Sequence, residues 1–316
     1  MRNAEQVTFG GSGLDRAQLM RKETEALALA YPDAPVLAFW RGRPLVGGPA
    51  DAAHLIWLRG SHPLVAKADP VLLGRDEGQL HFAADVSTSM AAGTISSGPF
   101  DTDRQSHPDL PDDLGFADLR SLMTQLTPRQ AELAIIGKAL IEWHRIHGFC
   151  AACGTASVMT HAGWQRDCPA CAAPHFPRTD PVVIVLVTHG NRVLLGRSPG
   201  WPERMYSLLA GFIEPGESVE AAARREVHEE SGIQLGAVSY LASQPWPFPA
   251  SLMIGCRAEA LNDDITLDPL ELEDALWLSR EELAQAFAGD HPQVMPARRG
   301  SIAQFILNAW LADRLD

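Results

Sequence analysis

Three glutamates of this 316-residue chain, Glu226, Glu229 and Glu230, stand at i, i+3 and i+4, so on a helix their carboxylates share one face. Like charges at that spacing destabilise an isolated helix by about 0.2–0.5 kcal/mol per pair. A hard divalent cation offsets the repulsion. Mg²⁺ prefers carboxylate oxygen, keeps several waters and also takes phosphate oxygens, which suits a diphosphate held between protein and metal. An acidic face turned to solvent is the competing explanation of these residues taken alone. His228 projects to another side and reads as an ordinary surface histidine.

A second group is made of sulfur. Cys150-x2-Cys153 is followed after fourteen residues by Cys168-x2-Cys171, the spacing of two knuckles that close a tetrahedron of thiolates around Zn²⁺. A closed four-sulfur site leaves no open position for a substrate, so its role is structural: the ion staples a small ribbon. The fifth cysteine, Cys256, lies in an apolar run and reads as an inert core residue.

The elements that must position these groups follow from pattern. Ser218 can cap a helix, Ala221-Ala222-Ala223 favours it and Gly232 ends it, giving a helix over 219–230. Pro181 to Val187 is continuously apolar and β-branched, as expected of a strand covered on both faces. His189-Gly190-Asn191 turns it into Val193-Leu194-Leu195. Further strands are expected at 238–242, 252–259 and 275–278, and helices at 280–288 and 300–314. Upstream, Thr127-Pro128-Arg129-Gln130 combines an N-cap, a first-turn proline and a capping-box glutamine, predicting a helix over 128–146. Short apolar runs such as Pro35–Trp40 and His54–Leu58 read as strands, and Ser96 to Asp113 as a loop. No chemistry is evident in these first residues. The domains expected are an N-terminal α+β domain over 1–125, a connecting helix over 126–148, the ribbon over 149–178 and the main domain over 179–316.

Composition limits the partners. A net charge of −13, with 46% hydrophobic and 21% charged residues, describes a packed protein without a broad basic surface for nucleic acid or anionic lipid. No apolar run approaches the roughly 20 residues that span a bilayer and the N-terminus has no apolar signal segment, so a cytoplasmic location and no membrane association are expected.

The stretch Gly211-x5-Glu217-x7-Arg225-Glu226-Val227-x-Glu229-Glu230-x-Gly232-Ile233 resembles the Nudix box at every specified position, which weighs against the solvent-facing reading. The resemblance implies an α/β/α sandwich that presents its carboxylates to Mg²⁺ or Mn²⁺ and hydrolyses a nucleoside diphosphate linked to another group. It makes Glu226 and Glu230 metal ligands and Glu229 a ligand or water activator, and pairs Glu217 with Arg225 to hold the loop against the helix.

What selects the second group must lie outside the box. Gln244-Pro245-Trp246-Pro247-Phe248-Pro249-Ala250-Ser251 combines prolines at alternate positions, which favour an extended backbone, with two flat rings and two hydrogen-bonding ends. Alone it could equally be a rigid loop with core aromatics. After a Nudix box and a four-cysteine ribbon, it resembles the signature of the NADH pyrophosphatases. That resemblance, over roughly residues 120–316, implies an α+β protein in which an N-terminal domain and zinc ribbon precede the Nudix sandwich. It implies hydrolysis of NADH or NAD⁺ to nicotinamide mononucleotide and AMP, removal of NAD caps from RNA 5′ ends by some members, and a homodimer.

It also places a further metal-binding carboxylate at Glu271 and a backbone metal contact at Ala210. Substrate contacts fall at Gln244 through Ser251, at Phe176, at Ala303 and at Arg120. Phe176 stands where some relatives carry tyrosine, which keeps stacking and loses a hydroxyl. Gly163 stands where some have an acidic residue, and no contact is carried there. Two other readings remain: a broader ADP-ribose or nucleoside-diphosphate-sugar hydrolase, which has no need of the signature, and a nucleotide-sensing regulator, which predicts a decayed box.

Overall fold

The computed structural model describes residues 3–87 and 104–315. They divide into two compact units, one of Met1–Gly10, Thr179–Trp246 and Ser251–Asp316, the other of Gly11–Arg178 with Pro247–Ala250.

In the second of these, α1 (Thr24–Ala30) precedes β1 (Pro35–Trp40) and β2 (Arg43–Gly47). The strand expected at His54–Leu58 is broken into β3 (His54–Leu55) and β4 (Trp57–Arg59), because the chain changes partner at Ile56: Leu55 pairs with Val46 of β2, and Trp57 with Leu37 of β1. Strands β5 (Val71–Asp76), β6 (Gln79–Asp85) and β7 (Gly115–Phe116) complete a seven-stranded sheet, in which β1 and β6 run parallel. Trp40, Leu45, Leu72, Phe82 and Phe116 form a core on it. Of the loop expected from Ser96 to Asp113, residues 96–103 lie outside the described residues; Gln105 bridges to Phe116.

After the short α2 (Leu119–Leu122), helix α3 (Pro128–Ile146) forms where its capping box predicts. Thr127 Oγ1 accepts from Gln130 N at 3.2 Å and Gln130 Oε1 accepts from Thr127 N at 3.3 Å. The helix delivers the chain into a three-stranded ribbon, β8 (Val158–Thr160), β9 (Gln165–Asp167) and β10 (Pro174–His175), in the order β10-β9-β8. Trp164 Nε1 donates to Leu72 O at 2.7 Å, and the His144 ring bonds Gly163 O at 2.9 Å, so the ribbon is fastened to β5 and to α3.

The other unit is built on β11 (Asp180–His189). It pairs in parallel with β15 (Ser251–Ala260) on one side, and on the other with β13 (Leu209–Phe212) and then β12 (Arg192–Arg197). β14 (Leu235–Trp246) and β16 (Asp274–Ser279) are the outer strands. The apolar run of β11 is buried on both sides as expected. Val183, Val185 and Val187 face Ala222, Ala223 and Val227 of α4 (Val219–Ser231). Ile184 and Leu186 join Leu283 of α5 (Arg280–Ala288) and Ile302, Ala303 and Ile306 of α6 (Ile302–Leu311). This is the α/β/α sandwich. Cys256 is fully buried in it, and burial pushes its thiol up to about 11, as an inert core thiol requires.

Two expectations need correction. The helix expected at 300–314 is the shorter α6, begun by Ser301, whose side chain accepts from Gln304 N. The strand expected at 238–242 runs on to Trp246, so half of the proline-rich segment is strand, with Gln244, Pro245 and Trp246 opposite Met253, Leu252 and Ser251. Pro245 is tolerated because β14 is an edge strand, where a missing N–H breaks no second ladder.

Candidate active site

Helix α4 begins at Ser218, whose Oγ accepts from Ala221 N at 3.2 Å, and stops at Gly232 with φ +71°, a left-handed cap that glycine adopts without Cβ strain. Ala222, Ala223 and Val227 pack on the sheet, and Glu226 and Glu230 are buried with them. Glu229 stays out. Its side chain is 53% exposed and its carboxylate takes a 2.9 Å hydrogen bond from Arg225. The three glutamates therefore do not share one environment: what joins Glu226 and Glu230 is Glu271, with one oxygen of each within 4.8 Å of the others.

Glu271 is brought there by backbone. Thr266 N donates to Ser231 O at 2.8 Å and Asp268 N to Glu230 O at 3.2 Å, hanging the 263–272 loop from the C-terminal end of α4. Glu271 N then turns back onto Asp268 O. On the other side of the cluster lies β13. A Cβ built on Gly211 would stand 1.9 Å from Glu226 Cδ, so only glycine lets that carboxylate lie against the strand. Its neighbour Ala210 lines the same cavity as Glu230.

The cluster is electrostatically uncomfortable by itself. Burial pushes the Glu230 carboxyl up to about 8, with Glu226 and Glu271 adding repulsion, and burial raises Glu226 despite its Arg225 partner. Glu230 Oε2 is buried without a hydrogen-bond partner. Crowded carboxylates, an orphaned oxygen and a glycine cradle fit a hard divalent cation, which would take the oxygens that the protein leaves unsatisfied.

Arg225 holds the loop before the helix. Its Nε and Nη2 fork onto Glu217 at 2.7 and 2.8 Å, Nη1 reaches Glu226 at 2.9 Å, and Nη2 also donates to Phe212 O at 2.9 Å. The guanidinium holds the Glu217 carboxyl down at about 2, helped by the Glu214 N–H. His228 is exposed.

Beside Glu230 opens a cavity of about 260 Å³, lined by Trp201, Met205, Ala210, Trp246, Met253, Leu272 and Ala303 among others. It brings together Ala210, Glu230, Trp246 and Ala303 of the expected site. Gln244 also borders it but is fully buried and already committed. Its amide nitrogen donates to Thr8 O and Gly300 O, and its oxygen accepts from Ile302 N at 2.8 Å, so it anchors the start of α6. Trp201 and Met205 were not singled out in the sequence, because nothing in the spacing of the 198–206 loop ties it to the box. Nor was Phe212, a 59% exposed ring beside Gly211.

Of the remaining expected residues, Pro245 and Ser251 belong to the unit of α4, whereas Arg120, Phe176 and Pro247–Ala250 lie in the other unit. There the turn Pro247–Ala250 places the Phe248 ring 4.1 Å from the Arg120 guanidinium and 5.2 Å from the Lys138 ammonium, a cation–π arrangement. Phe176 is 64% exposed. Pro249 follows a cis peptide bond, and Ser251 opens β15.

The four ribbon cysteines also converge. Cys150 and Cys171 Sγ are 3.6 Å apart and Cys153 and Cys168 Sγ 3.5 Å. Those distances are far beyond the ~2.05 Å of a disulfide and close to the roughly 3.8 Å edge of a tetrahedron with Zn–S bonds of about 2.3 Å. Gly154, at φ +76°, closes the first knuckle. The sulfurs fit a structural zinc.

Among the described residues, these two are the groups of His, Cys, Asp or Glu placed to hold a metal, and no helix is long and apolar enough to cross a membrane.

Comparison with known proteins agrees with this anatomy. Residues 177–297 match the NUDIX domain model, 145–176 the NADH pyrophosphatase zinc ribbon domain, and 33–143 an NADH pyrophosphatase-like rudimentary NUDIX domain. The last gives the N-terminal unit a kinship that its sequence did not disclose. The NAD-capped RNA hydrolase NudC of Mycobacterium bovis is 37% identical over 311 residues, covering 95% of this chain and 93% of that protein. The NAD-capped RNA hydrolase NUDT12 of Homo sapiens is 42% identical over 202 residues, 60% of this chain, and Nudix hydrolase 19, chloroplastic, of Arabidopsis thaliana is 39% identical over 289 residues, 81% of this chain. The match spans 43% of the human relative's length. With ribbon, box and full-length relatedness in agreement, the chain belongs to the zinc-ribbon NADH pyrophosphatase family of Nudix hydrolases.

Proposed function

We propose that the protein hydrolyses the diphosphate bond of NADH and NAD⁺, releasing nicotinamide mononucleotide and AMP, and removes NAD caps from RNA 5′ ends, with Mg²⁺ or Mn²⁺ as catalytic cation. The observation that carries the reading is the Glu226–Glu230–Glu271 cluster, in which Glu226 and Glu230 are buried and Glu271 is exposed, beside an apolar cavity that contains Trp246 of the NADH pyrophosphatase signature. Relatives named as NAD-capped RNA hydrolases support the cap-removing activity.

Glu226, Glu230 and Glu271, with the Ala210 backbone, would hold the cation. When bound, it supplies Lewis-acid polarisation of the phosphoryl group and an acidified water. Around it, Arg225 fixes Glu226 and, through Glu217, the loop that leads into the helix. Glu229, half-exposed and within reach of the same guanidinium, is the candidate water activator. Trp246 and Ala303 line the place for a ring of the dinucleotide, and Phe176, Phe248 and Arg120 are assigned to the same substrate. At about 260 Å³ the cavity is below the roughly 300–1,000 Å³ of sites that enclose a whole ligand, so it receives one half of the dinucleotide. A homodimer in the cytoplasm is proposed as the working form, checked by light scattering and cell fractionation.

The test is product analysis with NADH, NAD⁺, ADP-ribose and NAD-capped RNA, with and without Mg²⁺. AMP release from NADH that requires the cation and disappears in Glu230→Gln is expected. Turnover of ADP-ribose with NADH left intact would overturn the substrate, and turnover surviving Glu226→Gln with Glu230→Gln would overturn the metal site.

A further inference from the structure

One wall of the cavity is a loop, residues 198–206, that runs between β12 and β13 and contributes Ser198, Trp201, Met205 and Tyr206 to the lining. It has no helix or strand of its own and would be floppy without a tether. The tether is Arg197, the last residue of β12. Its side chain is 14% exposed. Nη2 donates to Trp201 O at 2.7 Å, Nη1 to Pro202 O and, at 3.5 Å, to Met205 O, while Nε pairs with Glu273. One planar fork thus gathers three backbone carbonyls of a single loop and is itself held by an acid on the strand-leading segment opposite.

The next arginine extends the tether. Arg204, at φ +64°, donates through Nη2 to His291 O, and its own carbonyl accepts from Met295 N at 2.8 Å. That joins the loop to the segment carrying Pro296, Ala297 and Arg298, which completes the same wall. Neither arginine belongs to the box or to the proline-rich signature.

We propose that Arg197 is a positioning residue that holds the Trp201 loop as one wall of the cavity, and that this wall determines which group beyond the diphosphate is accepted, favouring a planar aromatic ring over a bare sugar. The proposal rests on the function given above. Lysine cannot replace the arginine, because a point charge on a flexible stem does not span three carbonyls.

Hydrogen exchange and kinetics test it together. In Arg197→Lys and Arg197→Gln, amides of residues 199–206 exchange faster while those of α4 do not change. The KM for NADH rises about tenfold more than that for ADP-ribose, with kcat much less affected, the scale set by loss of shape discrimination in a pocket. Trp201→Ala leaves every carbonyl of the clamp in place, so it shifts the same NADH to ADP-ribose ratio with wild-type exchange. Unchanged exchange in both Arg197 variants overturns the clamp. An unchanged substrate ratio in Trp201→Ala, or a loss confined to kcat and equal for both substrates, overturns the selective wall. In a protein that turned over neither substrate the proposed function falls instead, and the clamp stands or falls on the exchange data.

Discussion

Arg225 forks onto Glu217 across eight positions of sequence, with Nε to Oε1 at 2.7 Å and Nη2 to Oε2 at 2.8 Å, and the same guanidinium touches Glu226. One side chain therefore ties the incoming loop to a member of the carboxylate cluster.

Arg225→Lys keeps the charge and loses the fork. Activity is expected to fall about 10–100-fold, the usual cost of disturbing groups that orient metal ligands. Kinetics as a function of Mg²⁺ concentration check it, and a wild-type response would show that the fork is dispensable.

The Glu217 carboxyl, held near 2, is depressed below its ordinary 4.5. The unfolded chain then binds more protons between those values, so this pair's contribution is complete above about pH 4.5 and disappears as the pH falls toward 2. Acid unfolding of Glu217→Gln is expected to lack this component, measured by denaturation across that window.

Glu230 shifts the other way. Its carboxyl, pushed up to about 8 in the metal-free protein, binds a proton that the unfolded chain has released. Metal-free stability therefore declines as the pH rises from about 4.5 to 8. Glu230→Gln is expected to raise the melting temperature in EDTA at pH 8 and to abolish stabilisation by Mg²⁺. Melting curves with and without the cation decide it; a variant still stabilised by Mg²⁺ as strongly as wild type counts against the cluster as its site.

Gly211→Ala forces a methyl group to within 1.9 Å of the Glu226 carboxyl carbon. The carboxylate must move, so Mg²⁺ affinity and activity drop about 10–100-fold while the fold persists. Circular dichroism beside Mg²⁺ titration separates the two.

Cys153→Ser with Cys171→Ser removes two of four sulfurs from the ribbon. Zinc content should fall from one ion per chain toward none and the ribbon's amides should lose exchange protection, whereas Glu230→Gln retains full zinc. Elemental analysis distinguishes them, since the two metals occupy different groups.

Local pattern disclosed what depends on neighbours in sequence. The capping box at Thr127–Gln130, the doubly buried Val182–Val187 run, the helix between Ser218 and Gly232 and the paired Cys-x-x-Cys knuckles are each written in a pattern of residues a few positions apart, and all formed where expected. The break at Ile56 and the extension of β14 to Trp246 did not show, because each depends on which strand lies alongside.

The same division runs through the site. By itself the sequence determined the reaction chemistry, since box spacing on a 3.6-residue helix puts Glu226 and Glu230 one turn apart. Tertiary structure decided which acids work together: α4 lies against β13, so Glu226 and Glu230 are buried and Glu229 is left at the solvent edge, and the 263–272 loop delivers Glu271 from roughly forty residues away. It also turned Gln244 into an anchor for α6 and made a cavity wall of Trp201. Periodicity carries the orientation of a side chain on its own element; what it meets there depends on burial against distant segments, and that the packed fold alone provides.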